Sequence, residues 1–202
     1  MAEGWLTDDG TLVVTTAVVG PLENNAYLAA CPRTGRAVLI DPADDTGRIL
    51  EAAAGLSVQA ILVTHGHPDH VAAAPALQRA LGAPVYLHPA DAPAAGLAGT
   101  HPLADGDEVR FGGAALRVIH TPGHTPGSVC FYGAGCLFSG DTLFPGGPGA
   151  AGDSRAFATI MASLRERLFT LPDETRVLPG HGPGTTIGEE RPDLDHWERR
   201  GW

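Results

Sequence analysis

The 202-residue chain has 23 acidic and 13 basic residues, a formal charge of −10, and an ordinary globular content of 44% hydrophobic and 18% charged residues. That composition excludes a disordered chain, and the acidic balance without a basic run excludes a nucleic-acid backbone as main partner. All 13 basic residues are arginine, which excludes a Schiff-base lysine, a P-loop lysine and a lysine clamp on an anionic substrate.

Strand-like runs rich in Val, Ile and Leu come first, at 11–19, 26–31 and 36–41. A helix is predicted over 46–54, ending near Gly55, and a strand over 59–64. The next helix has Pro75 in its first turn, Leu77 and Leu81 on its buried face and Gly82 as its stop. Further strand-like runs follow at 84–88, 115–120, 128–132 and 136–140. The clearest helix is 155–169, where Phe157, Ile160, Met161, Leu164 and Leu168 form one stripe and Asp153 or Ser154 can cap the start. A strand at 176–180 and a short charged helix at 188–199, packing through Trp197, complete the chain. Many neighbouring strands are separated only by turns, so the alternation predicts an α/β layered protein, residues 1–202 as a single domain. The Pro/Gly stretches 89–106 and 144–153 read as loops around a site.

Cys31, Cys130 and Cys136 form no C-x-x-C pair and read as small buried hydrophobes in a reducing compartment. The opening MAEGWLTDDGTLVV has no basic, apolar leader, and no run is long enough to span a bilayer. The expectation is a cytoplasmic protein without membrane or nucleic-acid partners, its oligomeric state unread.

The chemistry concentrates in THGHPDH, residues 64–70, directly after a strand-like run. His65, His67 and His70 offer imidazoles and Asp69 a carboxylate, a set that suits zinc, manganese or iron. Taken alone, the stretch reads equally well as a polar loop. Three more strand ends alter that balance: His124 in HTPGHTPGS, Asp141 in FSGDTLF and His181 in LPGHGPG. Each follows a strand-like run and sits among the glycines or prolines of a tight turn.

As a set, these motifs resemble the metallo-β-lactamase superfamily, over about residues 38 to 182. GDTLFPGG and GHGPGTTIGEER look like the short group similar to glyoxalase II (hydroxyacylglutathione hydrolase). The resemblance implies an αββα sandwich of two mixed β-sheets with a two-metal site at one edge. His65, His67 and His124 would hold one divalent ion. Asp69, His70 and His181 would hold the other, with Asp141 bridging. Zinc is the first expectation, with iron and manganese also suited. The implied reaction is hydrolysis of a small-molecule acyl thioester by a metal-bridging hydroxide, with Asp69 and Asp141 as its catalytic carboxylates. Asp41, Thr64 and Thr142 are expected to support the ligands. His88, His101, His120 and His196 fall outside the motifs and read as structural or surface residues.

The resemblance fails at the glutathione clamp. Ala150, Gly152 and Pro183 stand where that family has a lysine and two tyrosines, and the residues after His181 leave no room for its C-terminal helical domain. The thiol is therefore open, as is a broader esterase or lactonase activity. A persulfide dioxygenase on the same fold would use one iron at His65, His124 and Asp141. A metal-stabilised scaffold without activity is the third alternative.

Overall fold

A computed structural model describes residues 4–7 and 9–201; Met1–Glu3 of the N-terminal stretch read above lie outside them. The first sheet contains β1 (Gly4–Leu6), β2 (Val13–Val19), β3 (Asn24–Ala30), β4 (Arg36–Ile40), β5 (Ser57–Leu62), β6 (Val85–Leu87) and β7 (His101–Pro102), in that spatial order. β1 to β4 pair antiparallel through turns, whereas β4 to β7 pair parallel through crossovers. The crossovers carry α1 (Thr46–Ala52), α2 (Pro68–Val71), α3 (Ala74–Leu81) and α4 (Ala92–Ala95).

The second sheet contains β8 (Glu108–Phe111), β9 (Ala114–His120), β10 (Val129–Gly133) and β11 (Cys136–Gly140), joined antiparallel. A two-stranded ribbon of β12 (Leu143–Phe144) and β13 (Gly147–Pro148) follows. The helix α5 (Ser154–Ser163) continues into a π-helical turn, Leu164–Leu168, and returns the chain to β14 (Arg176–Pro179), parallel to β11. β15 (Thr185–Thr186) pairs antiparallel on its far side. The chain closes with α6 (Ile187–Glu190), a 3-10 turn at Arg191–Asp193 and α7 (Leu194–Arg200).

Three apolar layers hold the stack together. Between the sheets lie Val14, Tyr27, Val38, Ile40 and Leu62 from the first, against Phe111, Leu116, Val118, Phe131 and Phe138 from the second. Alternate residues of the same strands point outward: Leu28, Leu39 and Ile61 meet Ile49 of α1 and Leu77 of α3. On the opposite outer face Ile119, Cys130, Leu137 and Val177 pack against Met161, Leu164, Leu168 and Trp197. Central strands buried on both faces lose the polar alternation of a half-exposed strand, which is why they read as continuous apolar runs. The result is the expected αββα sandwich of two mixed sheets.

The predicted elements are recovered with small changes. The helix expected at 188–199 is three short pieces, because Pro192 cannot continue an α-helical ladder. Asp153, not Ser154, caps α5, its carboxylate accepting from the Ala156 N–H at 2.7 Å. β8 has charged residues, Glu108 and Arg110, on either side of Val109 and so shows little apolar signal. All three cysteines are buried thiols, and among the described residues no helix is long and apolar enough to cross a membrane.

Candidate metal centre

Parallel pairing brings the C-terminal ends of β4 and β5 together in one sheet, and those of β11 and β14 in the other. All seven residues singled out in the sequence meet at that edge. His65 follows β5; His67 is the N-cap of α2, and Asp69 and His70 lie in that helix's first turn with Pro68 at its start. His124 follows β9, Asp141 directly follows β11 and His181 lies just beyond β14.

Two triads form. His67 Nδ1 lies 3.1 Å from His65 Nε2 and 3.0 Å from His124 Nε2. His70 Nε2 lies 3.3 Å from His181 Nε2, and Asp69 Oδ2 is 3.6 and 3.4 Å from these two nitrogens. The donor atoms of each triad all fall within 4.8 Å of one another. Asp141 stands between them: Oδ1 is 3.4 Å from His70 Nε2, while Oδ2 is 3.6 Å from His124 Nε2 and 3.8 Å from His181 Nε2.

Four of the five rings are held from behind. His124 Nδ1 meets the Ala150 carbonyl at 2.7 Å, His181 Nδ1 the Leu22 carbonyl at 2.9 Å, and His70 Nδ1 the Asp41 carboxylate at 3.0 Å. A carbonyl or carboxylate accepts only from an N–H, so these three rings present an unprotonated Nε2 inward when neutral. His65 Nδ1 lies 3.0 Å from the Thr64 hydroxyl, which donates to Asp41 at 2.7 Å. Asp41 also accepts the Thr64 N–H at 2.7 Å. This carboxylate, 2% exposed and on a left-handed backbone (φ 49°), therefore fixes one ring in each triad. Thr142 does not reach a ligand; its hydroxyl lies 3.1 Å from that of Thr121.

Electrostatics match a cation held at this point. Burial and the neighbouring rings of His70 and His124 drive His65 well below the usual imidazole range, and burial with His124 lowers His67. Both are neutral bases. Burial opposes the charge on His70, but the hydrogen bond and charge of Asp41, with Asp141 and Asp69, outweigh it and raise the ring to about 9 in the metal-free chain. A positive charge is demanded there, and a metal ion would replace that proton. Burial raises Asp141, and its Oδ1 is buried without a hydrogen-bond partner. An orphaned carboxylate oxygen facing convergent lone pairs fits a divalent cation, as do imidazole and carboxylate as donor types.

Four supporting groups escaped the sequence reading. Asn24, at the start of β3, donates to Asp69 Oδ2 at 3.1 Å. Asp91, 2% exposed, accepts from the Gly66 N–H (2.8 Å), the Thr125 hydroxyl (2.6 Å) and the Gly127 N–H (2.7 Å). It ties the loop bearing His65 and His67 to the loop bearing His124. Gly66 is required there, since a Cβ would lie 2.8 Å from the Asp91 carbonyl oxygen. The carbonyls of Leu22 and Ala150 are the other two; backbone acceptors have no residue-type signature. Outside the centre, His88 and His120 stack with centroids 4.3 Å apart, and His101 lies against Tyr86.

The metallo-beta-lactamase superfamily model matches residues 19–181, from the end of β2 to His181. The chain belongs to this superfamily. It is 36% identical to the hydroxyacylglutathione hydrolase of Aeromonas salmonicida over 171 residues, covering 82% of this chain and 65% of that one. Among solved structures, TTHA1623 in a di-iron-bound form is 44% identical with a TM-score of 0.74, covering 87% of this chain and 96% of the other. ETHE1 from Myxococcus xanthus is 33% identical with a TM-score of 0.78, covering 88% and 81%.

Proposed function

We propose that this metallohydrolase of the metallo-β-lactamase superfamily holds two divalent ions and hydrolyses small acyl thioesters. The observation that carries the reading is the pair of complete triads with the partnerless Asp141 oxygen between them. His65, His67 and His124 would hold one ion, Asp69, His70 and His181 the other, and Asp141 would serve both. Such ions supply Lewis acidity, lowering the pKa of a water toward neutrality and polarising a carbonyl. The di-iron form of TTHA1623 supports two ions in such a site; zinc and manganese suit the same donors.

The remaining steps fall to the chain itself. Asp69 stays ionised: burial raises its carboxyl, but the Asn24 amide, His70 and His181 together bring it below the usual carboxylate value. With its side chain 31% exposed at the mouth, it can accept a hydrogen bond from the attacking water and orient it. The outward nitrogens of His65, His70, His124 and His181 are tied to Thr64, Asp41 and two carbonyls. None of these four rings is free to protonate a leaving group. A thiolate leaves without that help, whereas an amide nitrogen needs it. This chemistry, with the similarity to a hydroxyacylglutathione hydrolase, favours a thioester. The absent lysine and tyrosines at Ala150, Gly152 and Pro183 argue for a thiol other than glutathione.

The test is metal per chain together with turnover of a thioester panel under anaerobic conditions. Two ions and oxygen-independent hydrolysis are expected. A single iron with turnover only of a persulfide in oxygen would overturn the reading in favour of the dioxygenase chemistry.

A further inference from the structure

Beside the metal centre runs an open groove of about 520 Å³, lined by Pro122–Pro126 on one wall and by Gly152, Asp153, Arg155, Ala156 and Thr159 on the other. His124 itself is among its lining residues. That volume lies in the range that holds a small organic ligand. Its two walls are fixed against each other. The Ser163 hydroxyl donates to the Pro122 carbonyl at 2.7 Å, and Gly123 abuts Ile160 so closely that a Cβ would overlap that residue's backbone. α5, with Arg155 in its first turn, is thereby fastened to the loop that carries His124.

The charges in the groove are unequal in effect. Asp153 is spent as the cap of α5, accepting the Ala156 N–H, and the helix terminus offsets its charge. Arg155 is exposed and, among the described residues, is the only arginine lining the groove. On a chain of net charge −10 it is the place where an anionic group entering this groove meets attraction.

We propose that the groove is a substrate subsite and that Arg155 selects thioesters bearing a carboxylate remote from the reacting carbonyl. This rests on the hydrolase reading above and names its substrate class. The guanidinium presents a planar fork that pairs a carboxylate in two-point fashion. It acts on binding, so its contribution belongs in KM and not in kcat.

The experiment uses the metal-loaded protein and two matched probes, one ending in a carboxylate and the other in its carboxamide. As thioesters, the carboxylate is expected to have a kcat/KM about 10-fold higher, a difference of about 1.4 kcal/mol. Arg155→Met should bring the two to parity by raising KM for the anion, Arg155→Lys should keep part of the preference, and Arg79→Met on α3 should keep all of it. The same two probes as non-hydrolysable thioethers are measured by calorimetry. Tighter binding of the carboxylate, abolished in Arg155→Met, without any hydrolysis would sustain the subsite and sink the hydrolase. Equal binding of both thioethers by the unaltered protein, or a preference that survives Arg155→Met, would overturn the inference whatever the turnover.

Discussion

Asp91→Asn isolates the link between the two loops that carry His65, His67 and His124. Asp91 uses both carboxylate oxygens: Oδ2 takes the Gly66 N–H and the Thr125 hydroxyl, and Oδ1 takes the Gly127 N–H. An asparagine of the same shape has one acceptor oxygen. Whichever way it sits, its NH2 faces a backbone N–H of either Gly66 or Gly127, since the hydroxyl alone can turn round. A buried N–H left without an acceptor costs about 1–3 kcal/mol, and the lost charge on the remaining bonds adds about 1 kcal/mol. For a chain of this size, a total of roughly 2–4 kcal/mol corresponds to a fall in Tm of roughly 5–15 °C. The clamp bonds Gly66, Thr125 and Gly127, beside His65, His67 and His124, whereas Asp69 and His181 are held by Asn24 and the Leu22 carbonyl and His70 by Asp41. The ion proposed for His65, His67 and His124 should therefore bind about 10–100-fold more weakly, with little change at the other. Competition against a chromogenic chelator and scanning calorimetry read the two effects. Unchanged metal affinity alongside the lower Tm, or equal weakening of both ions, would refute this account.

Asp41→Asn should weaken both ions together, because one carboxylate serves Thr64, through it His65, and His70; asparagine tolerates the left-handed backbone, so retained two-ion binding would show that the charge is dispensable. Gly180→Ala places a Cβ on Asp141 Oδ1 and His70 Cε1; turnover should fall about 100-fold or more for a stability loss of only about 1–3 kcal/mol, and an active variant would contradict the bridging position of Asp141. His70 also sets a pH dependence. Its folded value of about 9 exceeds its ordinary 6.5, so in metal-free protein its stabilisation is complete below 6.5 and is lost as pH rises through about 9. A bound ion replaces that proton, so the Tm gain on metal loading should widen from pH 6.5 to 9, and a constant gain would count against His70 as a ligand.

Much of the centre was legible because its ligands follow strands, and a strand end leaves a local mark: an apolar run stopped by glycine or proline. THGHPDH, GHTPG, SGD and PGHG each carry that mark. The strands could be read for the same reason, since burial on both faces makes Arg36–Ile40 and Ser57–Leu62 largely apolar. β8 and the ribbon β12–β13 were not, because their short, polar or Gly/Pro sequences acquire a strand partner only after the sheets assemble.

The sequence by itself determined which side chains are available for metal chemistry, at which strand ends, and that lysine takes no part. Which of them converge depended on two parallel strand pairs bringing their ends to one edge. Only tertiary structure could choose Asp91 as the clamp, 25 residues from Gly66 and 36 from Gly127, or set Asn24 against Asp69 across 45 residues. The carbonyls of Leu22 and Ala150, which orient His181 and His124, lie 159 and 26 residues from their rings. The reason is physical: a ligand is recognisable from its own side-chain chemistry, whereas the group that orients it needs only to be an acceptor in the right place. A buried aspartate or any backbone oxygen will serve, and its place is decided by packing.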